Sequence, residues 1–288
     1  MPIHVDLHQA VYDAAYQGAP GAYSEAAAHA LLGPTASMLP RRSLEQVFDA
    51  VAAGGARHGV VPVENTLSGT VPNVYELLLS HDLRVIGETL THIDHVLVGP
   101  PNMRREDVRR VLSHPVALAQ CGEFFRTNRN VQAVPVFDTA GAVEIVMRED
   151  DGFTAAIASR RAADLYKGAV LAEHLQDHPE NWTRFLLLVR PDNAPAIKGA
   201  NKMLVAFDLP HQAGALAHAL QDIAKRNVNL TKIESRPIAG KPFEYRFVVE
   251  LMAQQGGSAL DETIEEMRHD TPWLRVLGAY NTAREETL

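Results

Sequence analysis

Over residues 11–190, short runs rich in Val and Ile alternate with Ala- and Leu-rich stretches of helical length. This alternation restricts the chain more than any other feature, because it calls for α/β layers built on mostly parallel sheet. Strands are expected at Gly59–Val63, Arg84–Glu88, Val96–Gly99, Val131–Val136, Thr154–Ala158 and Phe185–Val189. Helices are expected between them at Ser24–Leu32, Ser43–Ala53, Pro72–Leu79, His114–Arg126, Ala140–Arg148 and Ser159–Tyr166. The middle of the block can close into a compact unit whose chain enters and leaves through neighbouring segments. Two sheets are therefore expected rather than one.

The rhythm stops at Pro191-Asp192-Asn193-Ala194-Pro195-Ala196, where two prolines and polar neighbours read as a linker. A different order follows: strand Asn201–Asp208, helix Gly214–Arg226, strand Asn229–Pro237, a turn at Ala239–Pro242, strand Phe243–Met252, helix Leu260–Arg268 and strand Leu274–Tyr280. That βαββαβ order is the ferredoxin-like plan. Its edge strands need cover, so side-by-side association is expected.

With 288 residues, the chain has room for two or three domains at about 150 residues each. Asp and Glu exceed Lys and Arg by 35 to 27, a net charge of −8, so a nucleic-acid partner is not expected. Cys121, the single cysteine, permits neither an internal disulfide nor a cysteine-based zinc site. The histidines show no ligand spacing, and neither a metal nor another cofactor is expected. The first residues lack the basic start and apolar core of a secretory leader, and no apolar run nears the ~18 residues of a membrane span. A cytoplasmic location is expected, with no membrane partner.

Four segments could carry chemistry. In Tyr16–Ala27, Gly18 and Gly21 permit a tight turn and Ser24 is placed to cap a helix whose free N–H groups suit an anion, although a plain βα turn would look the same. No GxGxxG fingerprint supports a nicotinamide cofactor. In Val61–Val71, a buried strand ends in Glu64, Asn65, Thr66 and Ser68, where open α/β sheets bind ligands, and where ordinary turn chemistry also places such residues. Ser113-His114-Pro115 leads to Gln120 and Cys121, and Asp138-Thr139-Ala140-Gly141 opens another helix. A serine hydrolase finds no GxSxG elbow here. In Asn181-Trp182-Thr183-Arg184-Phe185, an arginine enters a buried strand, which is costly unless a protein carboxylate or an anionic ligand pairs with it. Beside it, Thr183 brings an uncharged proton donor or acceptor.

Taken together, these segments resemble the prephenate dehydratase family with a C-terminal ACT regulatory domain, from about Tyr12 to Tyr280. Gly21–Ala27 matches the family's GxYSExAA, Val63–Gly69 its VENSxxG, His114–Cys121 its HPxALAQC and Asn181–Phe185 its NxTRF. Gly214-Ala215-Leu216 and Glu234-Ser235-Arg236-Pro237 match the regulatory GAL and ESRP motifs. Any one match is weak; six in order, with the change of fold after a linker, are specific. Three positions depart from the pattern: Thr66 for serine, Val116 for glutamine, and Trp182 where a smaller residue is common. No chorismate mutase segment is seen ahead of the match, so a monofunctional chain is expected.

The resemblance implies a two-lobed catalytic domain of the periplasmic-binding-protein type over residues 10–190. Its lobes would span about 10–85 with 180–190, and 86–179. A linker at 191–200 and an ACT domain at 201–280 would follow. The implied reaction is loss of carbon dioxide and the ring hydroxyl from prephenate, giving phenylpyruvate for L-phenylalanine synthesis. Thr183 would be catalytic, and Arg184, Phe185, Ser24, Asn65, Thr66, Gln120 and Thr139 would bind substrate. The effector, L-phenylalanine, would meet Gly214, Ala215, Leu216, Asn229, Leu230, Glu234 and Ser235. A homodimer or homotetramer is expected. Two alternatives stay open: an arogenate dehydratase with the same chemistry on the aminated substrate, and a non-catalytic amino-acid sensor.

Overall fold

The computed structural model describes residues 11–238, 240–254 and 257–283; Ala239 of the expected turn and the N-terminal segment considered as a leader lie outside them. The chain forms two compact units. One is the stretch ending at Val71 together with Thr89–Phe185, and the other is Pro72–Glu88 together with the stretch from Leu186.

The first unit opens with strand β1 (Tyr12–Gln17), helix α1 (Tyr23–Leu32), β2 (Met38–Arg41), α2 (Leu44–Ala52), β3 (Ala56–Asn65) and the short β4 (Gly69–Thr70). After α3 (Val74–Ser80) the chain runs along β5 (Arg84–His92) into β6 (Val96–Gly99), β7 (Arg110–Ser113), α4 (Pro115–Gln120) and α5 (Gly122–Thr127). Then come β8 (Gln132–Pro135), α6 (Thr139–Glu149), β9 (Thr154–Ala158), α7 (Arg160–Leu165), β10 (Ala169–Ala172) and β11 (Trp182–Val189). Two sheets result, as the alternation implies. In one, β2, β1 and β3 lie side by side and parallel, with β11 beside β3 and β4 folded back on it. The other runs β10-β6-β9-β7-β8, parallel at β9-β7-β8 and antiparallel at β10-β6-β9. The lobes built on them meet where a Cβ added at Gly21 (φ +91°) would lie 2.9 Å from Ala162 Cα. Only glycine fits that backbone and that gap. Ser159 seals the contact by capping α7 through Ala162 N–H and donating its hydroxyl to the Gly21 carbonyl at 2.8 Å.

Local differences from the sequence reading have identifiable causes. The stretch expected as one helix over His114–Arg126 is two, α4 and α5, because Cys121 (φ −112°, ψ 35°) leaves helical geometry between them. Two acceptances from backbone N–H stabilise that break: Asp177 Oδ2 and Oδ1 bind Gly122 and Glu123 N–H at 3.0 and 2.9 Å. Ser24 is not the cap of α1. That position is Ala22, and Ser24 is the second helical residue.

The second unit carries β12 (Lys202–Asp208), α8 (Ala215–Lys225), β13 (Asn229–Pro237), β14 (Tyr245–Met252), α9 (Gly257–Asp270) and β15 (Trp273–Tyr280). These four strands run β13-β14-β12-β15, antiparallel to one another in the ferredoxin-like order, and β5 adds in parallel beside β15 with Val85 opposite Gly278. Val205, Phe207, Ile223, Val249, Leu251, Leu260, Ile264 and Met267 form its core between the sheet and the two helices. Gly278 is needed in β15, since a Cβ there would fall 2.1 Å from the Val85 carbonyl oxygen.

Candidate active site

Thr183 lies on β11 with 9% of its surface exposed, and its Oγ1 accepts an N–H from Asn65 Nδ2 at 3.0 Å. Asn65 is the last residue of β3, where the strand turns into the Thr66–Ser68 loop. The orientation of its amide follows from the backbone. Leu67 and Ser68 N–H groups donate to Oδ1 at 3.0 and 2.9 Å, and a backbone N–H can only donate. Nδ2 therefore faces Asn181 Oδ1 at 2.7 Å, the Trp182 carbonyl at 3.0 Å and Thr183 Oγ1. Among the described residues no acceptor takes the Thr183 proton. The threonine oxygen is held from behind, and its own O–H remains to donate to a bound molecule.

The same logic runs outward. Asn181, wholly buried, accepts from Asn65 and so presents Nδ2 to Gln120 Oε1 at 3.0 Å. Gln120, at the end of α4 on the opposite lobe, returns Nε2 to Asn65 Oδ1 and Ser68 Oγ, each at 3.3 Å. Asn65, Gln120, Asn181 and Thr183 thus form one polar cluster across the lobes. Asn181 and Ser68 were not among the candidates. The signal for Asn181 lay in NxTRF itself, where a side chain ahead of a buried strand must find partners.

Other candidates sit elsewhere. Strand side chains alternate between faces, so Thr183 and Arg184 point to opposite sides of β11, as Asn65 and Glu64 do on β3. Arg184 pairs on that reverse side with Glu64 Oε2 at 2.9 Å. In this structure its partner is thus a protein carboxylate. Phe185 is 2% exposed and serves the core. The Thr66 hydroxyl donates to the Glu180 carbonyl and accepts from Trp182 N–H, both at 2.9 Å, so it ties two backbone segments together. Ser24 and Thr139 lie in the first turns of α1 and α6, away from the asparagine cluster in sequence and in hydrogen bonding. A separate cavity of about 510 Å³ lies at the ends of β1 and β2 against the start of α6, lined among others by Gly18, Arg41, Arg42, Asp138 and Glu144. Thr183 does not line it. Burial holds Cys121 at a pKa of about 12, so it is a thiol and no nucleophile.

In the second unit, Gly214 (φ +86°) caps α8 and Ala215 and Leu216 begin it. On β13, exposure alternates from residue to residue. Leu230 packs against the core opposite Leu251, and because the register shifts between Leu230 and Lys232, Ser235 (opposite Phe247) shares its face while Asn229 and Glu234 (opposite Met252 and Val248) are on the other. The seven regulatory candidates therefore do not share one surface of this sheet. Among the described residues no group of His, Cys, Asp and Glu could hold a metal ion, and no helix is long and apolar enough to cross a membrane.

An α/β unit with two sheets, a buried threonine in an amide cluster between them, and a ferredoxin-like unit behind a linker define a small-molecule enzyme with an appended regulatory fold. The family model for prephenate dehydratase matches residues 14–193, and that for the ACT domain matches residues 203–269. Arogenate dehydratase 1 of Petunia hybrida is 39% identical over 290 residues, covering 95% of this chain and 68% of that protein. Arogenate dehydratase/prephenate dehydratase 6, chloroplastic, of Arabidopsis thaliana is 37% identical over 95% of this chain and 70% of its own. The structure of prephenate dehydratase from Arthrobacter aurescens in complex with L-Phe superposes with a TM-score of 0.84 at 31% identity, covering 95% of this chain and 92% of that one. A chain described as a novel type of quorum quenching acylase gives 0.85 at 31% identity, over 95% and 99%. The chain belongs to the prephenate dehydratase family, and is a lyase with an ACT domain.

Proposed function

We propose that prephenate is the preferred substrate, that Thr183 is the catalytic residue, and that L-phenylalanine regulates turnover through the ACT domain. The observation that carries the catalytic reading is the buried Thr183 Oγ1, held at 3.0 Å by Asn65 with its proton unclaimed among the described residues. In the reaction, the bond from the ring to its carboxylate breaks and carbon dioxide leaves. The electron pair enters the ring, and the ring C–O bond breaks as aromaticity forms. The departing oxygen takes up a proton and leaves as water. A neutral hydroxyl is a weak general acid, because its pKa lies far from the operating pH. Rigidly placed, it still stabilises the charge that develops on the leaving oxygen. The Asn65 N–H offsets charge that builds on Thr183 as its proton shifts.

Gln120 and Asn65 position the ring, and Ser24 and Thr139 sit in helical first turns whose N–H groups favour the substrate's carboxylates. Arg184 supports β11 from the reverse face. An acylase reaction is not favoured, since acyl transfer by a hydroxyl needs a base to activate it and Thr183 faces an amide. The catalytic domain is taken as residues 10–190, with lobes at 10–85 plus 180–190 and at 86–179, the linker as 191–200 and the ACT domain as 201–280. A cytoplasmic homodimer or homotetramer completes the reading, supported by β13 at the open edge of its sheet.

Initial rates on prephenate and on arogenate, each with and without L-phenylalanine, test this. The expected result is faster formation of phenylpyruvate from prephenate, suppressed by L-phenylalanine. Preference for arogenate would overturn the choice of substrate, and rates indifferent to L-phenylalanine would overturn the regulation.

A further inference from the structure

The amide cluster continues to a histidine that the reaction does not use directly. His95 lies between β5 and β6 with 2% of its surface exposed, and its Nε2 is 3.1 Å from Gln120 Oε1. The chain of donors fixed by the Leu67 and Ser68 N–H groups makes that Gln120 atom an oxygen, because Asn181 Nδ2 already donates to it. Nε2 must then carry the proton. Nδ1 is left as an acceptor, and it faces the Tyr23 hydroxyl at 3.2 Å. The single Tyr23 proton is shared between this Nδ1 and the Asp94 carbonyl, 2.6 Å from the hydroxyl, and the Tyr23 ring meets the imidazole edge-on at 5.7 Å between centroids. The His95 backbone N–H is held by Gln176 Oε1 at 2.9 Å. The imidazole is thus fixed in place, in plane and in tautomer.

We infer that His95 is a positioning residue for Thr183: its Nε2–H holds Gln120 against Asn181 and Asn65, and so keeps the Asn65 amide on the threonine oxygen. The Gln120 oxygen receives two N–H groups, one from each lobe, and this fixes which end of its amide faces Asn65 and Ser68. Without the His95 donor, Gln120 can rotate. Asn181 then loses the acceptor that orients it, and the cluster behind Thr183 gains alternative arrangements. Tyr23 acts one step further out, by holding the imidazole.

This role rests on the dehydratase reading, and a geometric pair of variants tests it. His95→Gln can place an N–H close to the Nε2 position, whereas His95→Asn reaches only the Nδ1 position. In His95→Gln, kcat on prephenate should stay within about fivefold of wild type. In His95→Asn it should fall at least thirtyfold, with KM changed less than threefold. In a Gln120→Met background, His95→Asn should cost less than threefold more, because its partner is already gone. Equal kcat for the Gln and Asn variants, or full additivity with Gln120→Met, would overturn the assignment. An inactive wild type would instead overturn the dehydratase reading, and the assignment with it.

Discussion

At the residue scale, the account depends on one hydroxyl and the amide behind it. Thr183→Val keeps the shape and removes the donor, and loss of one such donor costs roughly 100- to 1,000-fold in kcat. Asn65→Leu should lower kcat by a similar order with circular dichroism unchanged, because Thr183 Oγ1 loses its N–H partner. Stopped-flow or steady-state rates check both. Cys121 gives a negative control: its buried thiol, pushed up to about 12, should react with a disulfide reagent at pH 8 only as the protein unfolds. Burial also lowers the pKa of His95 and of His114. Below about pH 6.5 the unfolded chain takes up protons that these folded imidazoles resist, so stability falls with pH down to their folded pKa values. Urea midpoints across that range should fall less steeply in His95→Gln. Of the residues named from sequence, Asn65, Gln120 and Thr183 meet in space. His95, Tyr23 and Asn181 could not be ranked among twelve other histidines, six other tyrosines and ten other asparagines, because their importance lies in which donors already occupy which acceptors.

At the element scale, strand alternation decides what a motif can do. Thr183 and Arg184 are neighbours in sequence and face opposite ways, a consequence of period two that NxTRF does not display as a string. If Arg184 serves β11 through Glu64, Arg184→Gln with Glu64→Gln should change KM for prephenate less than about threefold while lowering the melting temperature. A KM rise beyond tenfold would return Arg184 to the substrate. Strand and helix existence was legible where composition was extreme: Asn229–Pro237 was read with its observed ends, and Thr154–Ala158, buried throughout, likewise. Strand β1 was missed because Tyr12–Gln17 carries no Val or Ile, yet Ala14, Ala15 and Tyr16 are wholly buried. Tertiary burial overrides strand propensity at such a site. The break at Cys121 was invisible for a related reason, since Asp177, which caps α5, lies 55 residues away.

At the scale of the whole molecule, the second compact unit carries a buried charge cluster. Lys202 Nζ lies 2.9 Å from Glu88 and 3.2 Å from Glu250, all three nearly inaccessible, and Tyr280 and Thr231 donate to Glu250 at 3.1 and 2.6 Å. Removing this cation from two buried carboxylates costs about 3–5 kcal/mol. Lys202→Met should therefore lose that much stability by chemical denaturation, and should lose L-phenylalanine inhibition before it loses basal turnover. Glu88 belongs to β5. The plan of two units and the order of their elements came from hydrophobic rhythm and a proline-marked linker. Which lobe supplied which amide did not, because contacts 55 to 118 residues apart leave no periodic trace. The central claim is that the Thr183 hydroxyl assists departure of the ring oxygen. Its most direct test is kcat for phenylpyruvate formation from prephenate by wild type and Thr183→Val, with binding of a substrate analogue measured alongside. The account predicts a loss of at least about 100-fold in kcat with analogue affinity within about threefold. A Thr183→Val enzyme turning over within a few-fold of wild type would contradict it.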